Sequence, residues 1–214
     1  MTDSRERLFD RWAENYDRGM SVNDDAFPFD GYERILDAVV ELAGMQVGMQ
    51  SHSMRVLDLG TGTGNLAQRF IQRGCEVWGL DFSAEMLSKA QEKFPQAHFF
   101  RANLLEEWPS SLRPPYDCIV SAYVLHEFNL EAKIAVLRRA MQYLAPNAPL
   151  LIADVAFESV ADREALHQRY APDWDEDEFY WAADEAIAAG ERAGLRLTYR
   201  QLSSCGGIFI VERL

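Results

Sequence analysis

Cysteine is scarce in this chain. Only Cys75, Cys118 and Cys205 occur, odd in number, far apart and without a Cys-x-x-Cys pair, which excludes a disulfide scaffold and a cysteine-built metal ribbon. They are expected to be reduced core thiols. Long apolar runs are also lacking, and no stretch approaches the roughly 18 apolar residues a membrane span requires. Residues 1–7 are polar and mixed in charge, with no apolar segment or small-residue cleavage site behind them, so a cytoplasmic location is expected. Basic residues are few: 21 Lys and Arg against 34 Asp and Glu leave a formal net charge of −13. Such a field repels phosphate backbones, and nucleic acid is not expected as a partner. What is present is globular composition, 48% hydrophobic and 26% charged over 214 residues, suited to one domain with a full core.

Residues 8–16 place Leu8, Phe9, Trp12 and Tyr16 on one helical face, and a second periodic segment aligns Tyr32, Ile35, Leu36, Val39 and Leu42. Both precede any strand and predict an N-terminal helical cap over 1–45. Over 54–214 strand and helix signals alternate. Strands are expected at 54–59, 75–80, 97–101, 116–121 and 149–155. Helices are expected at 65–73 with Gly74 as C-cap, from Ser83 as N-cap to about 93, from Asn129 as N-cap over 130–144, and ending near Gly194. Such alternation implies right-handed crossovers and a parallel sheet covered on both faces, an α/β doubly wound fold. The runs 195–202 and 207–211 are too close for a crossover and should pair antiparallel, giving six parallel strands plus one antiparallel C-terminal strand. Residues 173–191 hold eight carboxylates and no Lys or Arg, which reads as a solvated acidic helix start.

Chemistry concentrates at residues 56–65, VLDLGTGTGN. Glycines closing a first strand let the backbone turn tightly against a ligand, with the next helix's amides facing it. Asp81 closes the second strand 21 residues after Gly60, where a carboxylate can accept both hydroxyls of a ribose. The dinucleotide fingerprint would require glycine at position 65, which is Asn65, so a nicotinamide enzyme is disfavoured. The pattern present, Asp58-Leu59-Gly60-Thr61-Gly62-Thr63-Gly64, resembles instead the class I S-adenosylmethionine-dependent methyltransferases. The resemblance runs from Phe9-Asp10-Arg11-Trp12-Ala13-Glu14-Asn15-Tyr16-Asp17 to the last strand. With 177–181 (DEFYW), it is most similar to the YrrT-like uncharacterised bacterial methyltransferases.

The resemblance implies a Rossmann-like seven-stranded sheet and S-adenosyl-L-methionine as cofactor. It implies that Gly60, Thr61 and Gly62 receive the methionine end through backbone amides, and that Asp58 orients the turn and reaches the ammonium through water. By the same likeness Asp81 takes the ribose diol, Phe82 and Met86 cover the adenine, Asn103 bonds its amino edge and Leu104 packs on its face. Many relatives carry Asp where Asn103 stands; Asn keeps an acceptor and adds donors. Ser121 would offer its carbonyl or hydroxyl to the methionine end. Tyr16 would close over that end from the first helix, although with Trp12 it also reads as a packing stripe.

Methyl transfer from a sulfonium is an in-line displacement in which alignment supplies much of the acceleration. His126, after the fourth strand, is the best candidate for a general base, since imidazole titrates near neutrality, with Tyr123 a second. Glu127 and Asp154 read as walls or hydrogen-bonding residues. His52, His98 and His167 show no spacing with Cys or acids that suggests a metal. The acidic balance favours a small-molecule acceptor, and Trp12, Tyr16, Phe27, Tyr123, Trp174, Tyr180 and Trp181 suit an enclosed apolar pocket. The chain is expected as a monomer or homodimer. Alternatives are a noncatalytic module that binds the cofactor and an enzyme using a carboxylated or decarboxylated form of it.

Overall fold

The computed structural model describes residues 26–47, 53–171 and 174–214. Trp12, Tyr16 and the first cap helix expected at 8–16 lie outside the described residues.

In chain order the elements are α1 (Tyr32–Val47), β1 (Arg55–Leu59), α2 (Asn65–Gln72), β2 (Glu76–Asp81), α3 (Ala84–Lys93) and β3 (His98–Arg101). They continue with β4 (Cys118–Ala122), a single 3-10 turn (Leu125–Glu127), α4 (Leu130–Ala140), β5 (Leu150–Phe157) and α5 (Val160–Tyr170). Last come β6 (Trp181–Ala182), α6 (Ala183–Arg192), β7 (Leu195–Gln201) and β8 (Gly206–Arg213). The sheet runs β3-β2-β1-β4-β5-β8-β7, with β6 paired to β5 off this path. Strands β1 to β5 are mutually parallel, and β8 is antiparallel to both β5 and β7. The expected seven strands, six parallel and one antiparallel, are therefore present. The addition is β6, two residues long, parallel to the end of β5 through Ala156↔Trp181 and Phe157↔Ala182, which makes eight strands in all.

Central strands read as unbroken apolar runs because both of their faces are covered; all eight residues of β5 are buried. Alternate residues then point to opposite layers. Leu57, Leu59, Leu80, Ile119 and Ile152 meet Leu137 of α4 and Ala186 of α6 on one face. Val56, Val77, Val120 and Leu151 meet Ile35, Leu36 and Val39 of α1 and Phe70 of α2 on the other. The second cap segment is thus a helix lying on the sheet.

The local stops fall where residue chemistry puts them. Gly74 follows α2 with φ 78°, Ser83 accepts from the Met86 amide at 3.1 Å, and Asn129 accepts from the Ala132 amide at 3.0 Å. Helix α4 ends at Ala140, short of 144. No helix among the described residues is long and apolar enough to cross a membrane.

The strand order reverses between β1 and β4, and in such sheets the crevice outside the carboxyl ends of the two diverging strands is where ligands bind. That crevice here is bounded by the Gly60 turn after β1 and the Tyr123 turn after β4.

Candidate functional site

The turn after β1 depends on its glycines. Gly60, Gly62 and Gly64 have φ of 72°, 53° and 89°, a region that side-chain-bearing residues rarely occupy. A Cβ on Gly60 would lie 2.4 Å from Val124, whereas one on Gly62 would enter open space. The Gly60 and Thr61 amides both donate to the Leu80 carbonyl, at 2.7 and 2.9 Å, and the Gly62 amide donates to Asp81 Oδ2 at 2.8 Å. These three donors thus tie the loop to β2 instead of pointing outward, a departure from the role expected for them.

Asp81, at the end of β2, also accepts from the Ser83 amide at 2.9 Å through Oδ1. Asp58 is fully buried on β1 and accepts from the Thr61 hydroxyl at 2.7 Å. Burial pushes its carboxyl up to about 7, against the lowering effect of the Thr61 bond and with Asp81 adding a like charge.

A narrow crevice opens beside this loop, and its walls bring together Gly60, Gly62, Asp81, Phe82, Met86 and Leu104, with Tyr123, Val124 and Glu127. A smaller recess borders the same loop, against Asp58, Thr61 and Tyr32. Two expected residues are placed elsewhere. Asn103 folds back, accepting from the Leu105 amide at 3.0 Å and donating to Glu106 at 2.9 Å, and the crevice wall is made by its neighbours Ala102 and Leu104. The Ser121 hydroxyl is fully buried and donates to the Leu59 carbonyl at 2.8 Å, fastening β4 to β1. Tyr123 has φ 56°, and its ring packs on Tyr32 and Phe29 at centroid distances of 4.9 and 5.8 Å.

His126 sits one turn beyond β4 and is held by Asp154 of β5. Its ring Nδ1 lies 2.6 Å from Asp154 Oδ1, and its own amide donates to Oδ2 at 2.9 Å. Asp154 also takes the Val155 amide at 3.0 Å and the Trp181 indole N–H at 2.9 Å. Burial alone would depress the imidazole, but the Asp154 carboxylate, with Glu178 and Glu127 nearby, outweighs it and lifts the group to about 9. Those carboxylates favour the protonated imidazole over the neutral one. Asp154 is buried as well, which opposes ionisation, yet His126 beside it holds the carboxyl below its ordinary value.

Sequence spacing did not point to Glu178 or Lys133, and it placed Trp181 in a pocket but not in contact with Asp154. Lys133 is buried on α4, donates to the Phe179 carbonyl and lies 4.2 Å from the Trp181 ring centroid; burial brings its amine down to about 7. Trp174, Tyr180, Trp181 and Glu178 face a second, partly open cavity. Lys133, Arg163 and Glu185 share its wall, so it is mixed in character where an apolar pocket was expected. Phe27 lies outside that wall, stacked on Tyr170 and Trp174. The acidic stretch contributes Asp184 and Glu185 to the first turn of α6, as a helix start should, while Glu178 turns inward.

The family model described as a methyltransferase domain matches residues 56–147. An uncharacterized methyltransferase of Geobacillus kaustophilus is 35% identical over 163 residues, 75% of this chain and 70% of that protein. The uncharacterized methyltransferase YrrT of Bacillus subtilis is 31% identical over 157 residues, 71% and 68% of the two chains. Among solved structures, a magnesium protoporphyrin IX methyltransferase from Synechocystis with bound S-adenosylhomocysteine shares the fold. Its TM-score is 0.70 at 18% identity, covering 98% of this chain and 100% of that one. The motif, the sheet order and these relatives agree: the chain belongs to the class I S-adenosyl-L-methionine-dependent methyltransferases, in the group that contains the YrrT-named proteins.

Proposed function

We propose that this methyltransferase acts on a small molecule that enters through the cavity beside the crevice. The observation that carries the reading is how closely the walls of the two spaces approach each other. Glu127 forms part of the crevice wall, Glu178 part of the cavity wall, and His126 Nε2 lies between them, 4.0 Å from one carboxylate and 3.7 Å from the other. The aromatic rings of Trp174, Tyr180 and Trp181, interleaved with charged groups, suit a compact acceptor that is partly apolar and partly polar.

The residues present fit the cofactor: open space stands before Gly62, and a carboxylate anchored by two amides stands at the end of β2. Asp81 is assigned the ribose hydroxyls, Phe82, Met86 and Leu104 the adenine faces, and Gly60, Thr61 and Asp58 the loop that shapes the methionine end. Asn103 and Ser121 act on this reading through the backbone they hold. S-adenosyl-L-methionine, when bound, supplies a methyl group on a sulfonium leaving group. The chain then has to exclude water and align the acceptor, which the Tyr123 turn and the His126–Asp154 pair do by rigidity. No general base is assigned to His126 or Tyr123.

Incubation with methyl-labelled cofactor and a bacterial extract separated into small-molecule, protein and RNA fractions tests the acceptor class. Label is expected in the small-molecule fraction. Label confined to protein or RNA would overturn the proposal.

A further inference from the structure

Three donor atoms converge where these walls approach. His126 Nε2, a carboxylate oxygen of Glu127 and one of Glu178 all lie within 4.8 Å of one another. The side chains are only 8%, 7% and 14% exposed. Nε2 makes no hydrogen bond among the described residues, its nearest carboxylate oxygens standing at 3.7 and 4.0 Å, yet the ring cannot turn away. Asp154 grips Nδ1 and is itself fixed by two backbone amides and the Trp181 indole. Such a carboxylate–histidine pair is the outer-shell arrangement that aims the other imidazole nitrogen at a metal.

We propose that His126, Glu127 and Glu178 bind one divalent transition-metal ion of the zinc type. One imidazole and two carboxylates are a nitrogen–oxygen donor set, which suits zinc better than the all-oxygen shells of magnesium or calcium. Bonds of about 2.0–2.2 Å in tetrahedral geometry place donors about 3.3–3.6 Å apart, so the His126 separations of 3.7 and 4.0 Å need to close by a few tenths of an ångström and the two carboxylates, within 4.8 Å of each other, by up to about 1.5 Å. Glutamate side chains on a 3-10 turn and a loop can make that adjustment. The ion takes the place of the Nε2 proton. Three protein donors leave one position open, as in zinc sites that engage a substrate, and here it faces the boundary between crevice and cavity, where an acceptor's anionic oxygen or sulfur would be held. No Cys or His spacing announces the site, because Glu178 reaches His126 from 52 residues away.

Chelator-stripped protein titrated calorimetrically with Zn²⁺, without cofactor, is expected to take up one equivalent. Glu178→Gln and His126→Ala should each weaken uptake at least tenfold, and Asp154→Asn by roughly 10–100-fold. His167→Ala, which removes an exposed pair with Glu176, should leave uptake unchanged. Co²⁺ loading should give the visible absorption of a four-coordinate ion in the parent and lose it in Glu178→Gln. Absent stoichiometric uptake, or uptake indifferent to Glu178→Gln and His126→Ala, would overturn the site. Binding of S-adenosylhomocysteine, measured on every variant, shows that each is folded and keeps the fate of this proposal separate from that of the methyl-acceptor reading.

Discussion

Asp81 and Asp58 stand about the same glycine turn but are held in opposite ways. Asp81 is gripped by two amides that favour its charge, whereas Asp58 has one hydroxyl partner and complete burial. Asp81→Ala should weaken S-adenosylhomocysteine binding by about 1–3 kcal/mol, read by calorimetry, from the loss of charge-assisted bonds. Asp58 should leave a mark on stability. Its carboxyl titrates near 3.8 when unfolded and near 7 when folded, so between those values the folded chain binds more protons, and stability falls as pH rises through the window. The loss attributable to this group is on the order of 4 kcal/mol and is complete above about pH 7. Urea unfolding of Asp58→Asn should show a smaller decline than the parent between about pH 4 and pH 7. The glycine turn and Asp81 were legible because their chemistry is local, carried by spacing along one strand–turn–helix unit. The Asp154–His126–Glu178 cluster was not, since it is assembled by a strand pairing and a loop that no short window of sequence contains.

Among the elements, those buried on two sides were the easiest to read. Strands β1, β2, β4 and β5 appear as apolar runs, and α1 shows its stripe at Tyr32, Ile35, Leu36 and Val39 because that stripe faces the sheet. Helix α5 has no buried residue, so it carries no stripe, and β6 is two residues held by the end of β5, too short to leave a pattern. Its effect is local but consequential, since it brings the Trp181 indole to Asp154. The placement of α1 on the sheet makes a direct prediction. Ile35→Ala, at a position with no exposed surface, should cost about 2–5 kcal/mol in denaturant unfolding, as for any core residue. A cost near zero would mean that α1 is a detachable cover.

For the whole molecule, the net charge of −13 and the carboxylates around His126 act in the same direction. Retention on an immobilised RNA or DNA column at low salt should be absent, because the field opposes a polyanion before any contact forms. The overall class was legible from the alternation of strands and helices and from the closeness of the last two strands. The sheet order was not, because it depends on which edges meet in space.

That order has a consequence for how the protein is made. Strand β8 lies between β5 and β7, pairing with Leu150–Val155 on one side and Leu195–Gln201 on the other, so the next-to-last place in the sheet is filled from residues 206–213. A nascent chain leaving the ribosome carries β5 with one flank bare until those residues emerge, and β7 waits unattached for the same event. Chains halted before residue 206 should therefore be caught by chaperones or form insoluble assemblies, however complete the glycine turn and its crevice already are.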